Sequence, residues 1–446
     1  MVKVLYTTPV LKHPPMGGPQ LSVENCIKAL SKESELHIIS RVPISLIGGI
    51  EAQKFYEQYC VNFLYSPMAG SFSPPRMIKF QTQALNSALA YCRRIKFLNQ
   101  VGGFFFRLYF DKFLHKSQKR RMDSTNQDVN FILKYFEEYS IDVIWCDRGI
   151  EHSFDLIYKI KKKRPDIKVV CDTCAVNSRF ILRGLPYEKS LSRKSQIYRA
   201  GKKKKKEERI LVNLADITTA VSEVDAQYYR SIAKVPAKIQ LFSNVIDIET
   251  YEKIPPPADS FKKPCIYLAG TFFSPQSPMA DAARWVITAV LPLVRQQIPN
   301  IHFYIVGRGS DETLLEIDDP GITVTGELPS VLPYLCHADV ALVPLRFESG
   351  TCFKILEAGA CCIPIVSTTI GAEGLSVTHE KNILIADEPK SFADSIISII
   401  KNHDLALEIA KNLKTLVYEN HNIASLAEEG RLILEYLMCG KNSHRG

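Results

Sequence analysis

The stretch Phe347–Leu375, FESGTCFKILEAGACCIPIVSTTIGAEGL, reads as a loop, a helix opened by a glycine, a buried strand and a second glycine-bearing loop. The chain reaches it from the strand-like run Val340-Ala-Leu-Val-Pro344, so the local order is strand, loop, helix, strand. That order is a crossover unit of a parallel sheet. The junction before the helix is also a ready-made anion site, because the first N–H groups of a helix have no intrahelical partner. If the helix starts at Thr351, then Gly350, Lys354 and Glu357 fall within about 60° of one another around its axis. One face then presents free N–H groups, an ammonium and a carboxylate in succession. The same spacing also lets Lys354 and Glu357 pair with each other on a solvated face, at about 0.2–0.5 kcal/mol.

Outward from this stretch the same alternation fills the chain. Lys3–Thr7 is a short buried strand, followed by a loop holding Gly17-Gly18 and a helix over Gln20–Ser31, with Pro19 suited to its first turn. Further strands fall at Leu36–Ser40, Val61–Tyr65, Asp142–Cys146, Lys168–Asp172, Ile217–Val221 and Ile239–Phe242. Helices fall at Glu151–Lys163, Lys203–Leu214 and Glu223–Ile232, with a looser region over Thr173–Ala200. Strands that read as near-continuous apolar runs belong to a parallel sheet covered on both faces. Pro255-Pro-Pro257 and Pro264 mark a linker, after which the pattern restarts with strand Cys265–Ala269, helix Ala280–Arg295 and strand Ile301–Val306. The expected fold is α/β: two tandem Rossmann-like domains, 1–250 and 265–418, joined by 251–264 and facing an interdomain cleft. A last helix, 419–446, is expected to pack back on the first domain.

A chain of 446 residues is too long for one hydrophobic core, which agrees with two domains. No uninterrupted apolar run reaches the roughly 18–20 residues that span a bilayer. The start, Met-Val-Lys-Val-Leu-Tyr, enters a strand without a cleavable signal pattern, so the protein is expected to stay in the cytosol. The twelve cysteines show no framework spacing. Cys171-Asp-Thr-Cys174 lacks a second pair to complete a zinc site, and plain thiols are expected. The net charge of +9 is concentrated: nine Lys/Arg against the single acid Asp111 lie within 91–121, interleaved with seven Phe/Tyr after Tyr91, and Lys202–Lys206 is purely basic. Such segments suit an anionic membrane surface or a lipid-linked acceptor, contacted peripherally through 91–121. Nucleic acid and a plain solvated helical face are the alternatives, and no nucleic acid is expected as partner.

The second half resembles the retaining nucleotide-sugar glycosyltransferases of family 4, which have the two-Rossmann-domain GT-B fold. The residues that carry the resemblance are Ala282-Ala-Arg-Trp285, Ile305-Val-Gly-Arg308, Val324-Thr-Gly326, Ala338-Asp-Val340, Pro344-Leu-Arg346, Ser349-Gly-Thr351, Lys354-Ile-Leu-Glu-Ala358 and Pro364-Ile-Val-Ser367 with Gly371-Ala-Glu-Gly374. In the first half Gly17-Gly18, Ala220-Val-Ser222 and Asn244-Val-Ile-Asp247 match more sparsely. The chain departs from the pattern in three places. Ser349 stands eight positions before Glu357, where many members have a glutamate. The run Asp172-Thr-Cys-Ala-Val-Asn-Ser-Arg179 lacks the histidine often found there, and Gly270-Thr-Phe-Phe-Ser-Pro lacks the usual Arg and Lys.

The resemblance implies a nucleotide-diphosphate sugar as donor, held at Gly18, Arg308, Arg346, Ser349, Gly350, Thr351, Lys354 and Glu357. Lys354 and Glu357 are the implied catalytic pair, with Glu357 accepting hydrogen bonds from two ribose hydroxyls. Arg346 ends a strand and is a second candidate charge for the diphosphate, or else a surface ion pair. Asn177 and Arg179 are the acceptor-side candidates. No Asp-x-Asp occurs in the chain, so a metal-clamped diphosphate has no obvious ligands, and neither metal nor other cofactor is expected. The expected activity is metal-independent hexosyl transfer to a glycan or lipid-linked acceptor, with retention, in cell-surface polysaccharide synthesis. A nucleotide-sugar 2-epimerase and a degenerate sugar-binding protein remain open beside it.

Overall fold

The computed structural model describes residues 1–67 and 125–439. The basic-aromatic segment 91–121 lies outside the described residues. The N-terminal sheet contains β1 (Val2–Thr8), β2 (Ser34–Ser40), β3 (Asn62–Tyr65), β4 (Val143–Cys146), β5 (Lys168–Cys171), β6 (Ile217–Ala220) and β7 (Ile239–Leu241). Their spatial order is β3-β2-β1-β4-β5-β6-β7, parallel throughout. The C-terminal sheet contains β8 (Cys265–Ala269), β9 (His302–Val306), β10 (Ile322–Val324), β11 (Val340–Val343), β12 (Ile365–Ser367) and β13 (Leu384–Ile385). Its order is β10-β9-β8-β11-β12-β13, also parallel. These are two Rossmann-like sheets in tandem.

Strand alternation sorts the N-terminal core into two layers. Val4, Tyr6, Leu36, Ile38, Val143 and Trp145 face helix Gly18–Glu33, whereas Leu5, Ile39, Ile144, Cys146, Val169 and Cys171 face helices 126–138, 154–163, 191–214 and 223–232. The last helix, Ile423–Cys439, puts Leu426, Ala427, Leu434 and Leu437 into the first of these layers. Each fully buried Leu or Ile there contributes about 1.5–3 kcal/mol. The chain therefore crosses from the C-terminal sheet back to the N-terminal one, and His421 Nδ1 meets the Asn244 carbonyl at 3.1 Å as it does so.

Several elements differ from the sequence expectation, each for a local reason. The predicted loose region 173–200 holds helix Asn177–Arg183 and the start of a 24-residue helix, Leu191–Leu214, whose polar, basic sequence hides its period. The predicted helix 280–295 starts at Pro278 and takes a wide π turn over Val286–Val290, which accommodates the missing N–H and the ring of Pro292. The predicted helix over 151–163 breaks at Ser153, whose Oγ donates to the Asp147 carbonyl at 2.6 Å. Finally, the helix of the opening stretch is Phe353–Ala360 with Cys352 before it, two residues later than Thr351.

Candidate functional site

In each sheet the strand order reverses beside the first strand, at β1/β4 and at β8/β11, and ligands of such sheets bind outside the carboxyl ends of those strands. The loops after β1, β5 and β6 meet the loops after β8, β11 and β12 across the cleft. Gly18 faces the Phe353 ring, so the N-terminal glycine loop lies against the start of the helix Phe353–Ala360. Asn244 links the halves by donating to Thr351 Oγ1 at 2.8 Å and accepting from Ser22 Oγ at 3.1 Å. The backbone N–H of Val176 donates to Ser349 Oγ at 3.2 Å. Ser349 thus supplies a hydroxyl that ties the two halves together.

Two glycines are needed at this seam. Gly350 has φ +86°, and a Cβ there would stand 2.5 Å from the Cys174 carbonyl oxygen. The backbone that approaches it is the loop after β5. Gly374 has φ +84°, with Ser222 Cβ 2.8 Å from where its own Cβ would be. Both residues allow the halves to close on each other.

Lys354 and Glu357 do not pair. Among the described residues no carboxylate lies within 4.0 Å of the Lys354 ammonium, and Glu357 Oε1 instead accepts from Tyr251 Oη at 3.1 Å. Tyr251 belongs to a short helical turn, Ile248–Tyr251, in the linker. Burial pushes the Glu357 carboxyl above its usual range, against the opposing pull of the Tyr251 hydrogen bond and the Lys354 charge. The result is a free ammonium at the first turn of a helix and a held carboxylate one turn on, both on the half-buried face.

The other predicted residues are placed differently. Arg346 grips Asp281 with both arms of its guanidinium, at 2.8 and 2.5 Å, and lies 4.7 Å from the Tyr187 ring centre. It is the ion pair of the two alternatives, not a free cation facing the helix terminus. Arg308 follows β9 and is exposed. Asn177 opens helix Asn177–Arg183, and its Nδ2 is buried with no hydrogen-bond partner among the described residues. Arg179 reaches across the cleft to Glu373 Oε1 at 3.0 Å and back to Asp225 at 3.4 Å.

Sequence reasoning missed the rest of that clamp. Arg183 donates to both Glu373 carboxylate oxygens and to the Glu348 carbonyl, each at 2.7 Å. Arg179 and Arg183 are four apart on one helix, which was the available signal; their shared partner, 190 residues away, gave none. Desolvation of Glu373 opposes ionisation, but the Arg183 hydrogen bonds and Arg179 charge prevail and hold its carboxyl below the usual range. Glu373→Ala is expected to open the cleft and to cost about 1–3 kcal/mol of stability. Small-angle scattering should show a larger radius of gyration, and an unchanged radius would remove the clamp role.

Under the N-terminal side of the cleft sits a buried acid pair. Thr8 Oγ1 donates to Asp147 at 2.6 Å, while Asp172 accepts from Thr219 Oγ1 at 2.6 Å and from Trp145 Nε1 at 3.1 Å. Burial, then the charge of Asp147, push the Asp172 carboxyl up to about 7. Arg148 bridges from this floor to the Pro19 carbonyl at 2.9 Å, fixing the glycine loop from below. A surface pocket of about 490 Å³ lined by Lys263, Asp339, Cys362 and His403 lies at the opposite, amino ends of the C-terminal strands and is remote from the seam. Among the described residues no group of three or more His, Cys, Asp or Glu side chains is placed to hold a metal ion. Nor is any described helix long and apolar enough to cross a membrane.

Two facing parallel sheets whose switch points bracket a cleft, with the last helix returned to the first sheet, define the GT-B class. The model of the Glycosyl transferases group 1 family matches residues 264–402, the C-terminal domain. A Klebsiella pneumoniae protein described as an uncharacterized 44.6 kDa protein in the cps region is 26% identical over 166 residues, 35% of this chain and 42% of that protein. The chain thus matches less than half the length of this curated relative. Among solved structures, Anabaena HepE in complex with UDP-glucose superposes with a TM-score of 0.58 at 13% identity, over 98% of this chain and 100% of that one. Sucrose-phosphate synthase from Thermosynechococcus elongatus gives 0.65 at 14% identity, over 99% and 100%. At these identities the likeness is one of fold.

Proposed function

We propose that the chain transfers a hexosyl group from a nucleotide-diphosphate sugar to a glycan or lipid-linked acceptor, with retention of anomeric configuration and without a metal ion. The observation that carries this reading is the cleft-facing start of helix Phe353–Ala360, with Lys354 unpaired among the described residues and Glu357 held by Tyr251. The helix terminus contributes roughly half a positive charge and Lys354 a full one, together taking the place of a cation on the leaving diphosphate. The remaining lone pairs of Glu357 accept the ribose hydroxyls. The acceptor hydroxyl attacks from the face the diphosphate leaves, and a diphosphate oxygen takes its proton. The UDP-glucose bound by HepE supports the donor class, and the cps region of the Klebsiella relative supports a role in cell-surface polysaccharide assembly.

The test is a panel of nucleotide sugars read as melting shifts, followed by transfer to glycan and lipid-linked acceptors with the anomer assigned by NMR. A donor at a hundred times its Kd should stabilise the fold by about 2.7 kcal/mol. No shift with any donor would overturn donor binding. Epimerisation of the sugar in the absence of acceptor would replace transfer by 2-epimerase chemistry.

A further inference from the structure

The basic run Lys202–Lys206 has no part in the site just described. It lies in helix Leu191–Leu214, which packs against helix Asn177–Arg183 through an inward stripe that includes Gly201, Glu208 and Leu211. At 3.6 residues per turn, Leu191, Tyr198, Lys202, Lys205 and Arg209 fall within about 60° of one another on the outward side. All five are exposed, Leu191 by 83% and Tyr198 by 51%, and the Lys202 ammonium lies 5.4 Å from the Tyr198 ring centre. Lys206 and Arg199 flank the stripe. The acids of this helix do not neutralise it: Glu207 pairs with Lys203 and Lys204, and Glu208 is buried under Ser178 and Tyr228. Among the described residues no carboxylate lies within 4.0 Å of Arg199, Lys202, Lys205, Lys206 or Arg209.

We propose that this outward face of helix Leu191–Leu214 is a docking surface for an anionic lipid bilayer. Cations alone would suit nucleic acid equally well. What favours a bilayer is the pair of exposed apolar side chains among them, since Leu191 and Tyr198 suit the headgroup boundary while the Lys and Arg stems reach the lipid charges. The placement fits the cleft. Tyr187, just before this helix, stacks on Phe347 with ring centres 5.3 Å apart, so the docked face ends beside the mouth of the candidate site. Delivery of a lipid-linked acceptor to that mouth rests on the proposed transfer activity; the docking itself does not.

The test uses the full chain and sedimentation with vesicles of equimolar phosphatidylcholine and phosphatidylglycerol. Wild type should partition onto them, be released by ~0.5 M salt, and ignore pure phosphatidylcholine. Each basic side chain near an anionic surface is worth about fivefold in partitioning. The combined Lys202→Gln, Lys205→Gln, Lys206→Gln and Arg209→Gln variant should therefore bind at least ~50-fold more weakly, with its melting temperature unchanged. Undiminished binding by that variant overturns the assignment to this helix, as does equal binding to neutral vesicles or a preference for duplex DNA over vesicles. Donor melting shifts are measured on both proteins. Vesicle binding in a chain that no donor stabilises upholds the docking surface and overturns only the transfer reading.

Discussion

Lys354→Ala is expected to lower turnover by on the order of 10²–10³-fold under saturating donor, the loss seen when one preorganised group facing a developing anion is removed. The expectation follows from what Lys354 does not do. It sits one turn from Glu357, in the position for an intrahelical ion pair, yet the carboxylate is turned to Tyr251 and, among the described residues, no other carboxylate lies within 4.0 Å of the ammonium. A lysine ammonium beside a helix N-terminus in a cleft adds its charge to that of the helix dipole, which favours an anion there. Arg346 sharpens the contrast, since its guanidinium is already neutralised by Asp281. Arg346→Ala should therefore cost far less turnover than Lys354→Ala. Rapid-quench measurement of single-turnover transfer separates the chemical step from product release. A Lys354→Ala enzyme turning over at close to the wild-type rate would remove this residue from the mechanism.

The architecture was readable because it is local. Short apolar strands, glycine at the turns and amphipathic crossovers repeat every few tens of residues, and each unit can be recognised alone. The candidate site was half readable for the same reason. Gly350, Lys354 and Glu357 lie on one helix, so their mutual geometry is a matter of turn angle. Their actual partners were hidden by sequence distance: Tyr251 and Glu357 are 106 residues apart, Arg183 and Glu373 190, and Arg346 and Asp281 65. No periodicity relates such pairs. They exist only because the linker folds over the helix and the two sheets face each other. Ser349 makes the same point, since its hydroxyl accepts the Val176 backbone N–H from the opposite half, 173 residues away in sequence.

Glu357→Gln is the second large effect, and it separates binding from folding. The carboxylate keeps one oxygen on Tyr251, and in the proposed site the remaining lone pairs take the ribose hydroxyls, where charge-assisted bonds contribute about 1.5–3 kcal/mol each. Glutamine preserves shape and can still accept from Tyr251, but one acceptor becomes a donor. Donor Kd should rise about 10- to 100-fold, measured calorimetrically. Stability should respond the other way. Burial raises the Glu357 carboxyl above its usual range, so its contribution to folding is greatest below the unfolded pKa and is lost as pH rises through the folded one. At neutral pH the apo enzyme carries a desolvation penalty that glutamine lacks, and the variant should melt no lower than wild type. The same sign governs binding in the wild type. The ribose needs the ionised carboxylate, so donor affinity should weaken as pH falls through that raised value, and Glu357→Gln should abolish this dependence. A variant that loses stability and donor affinity together, or that keeps the wild-type pH profile, would mean that Glu357 supports the linker turn through Tyr251 and does not touch the nucleotide.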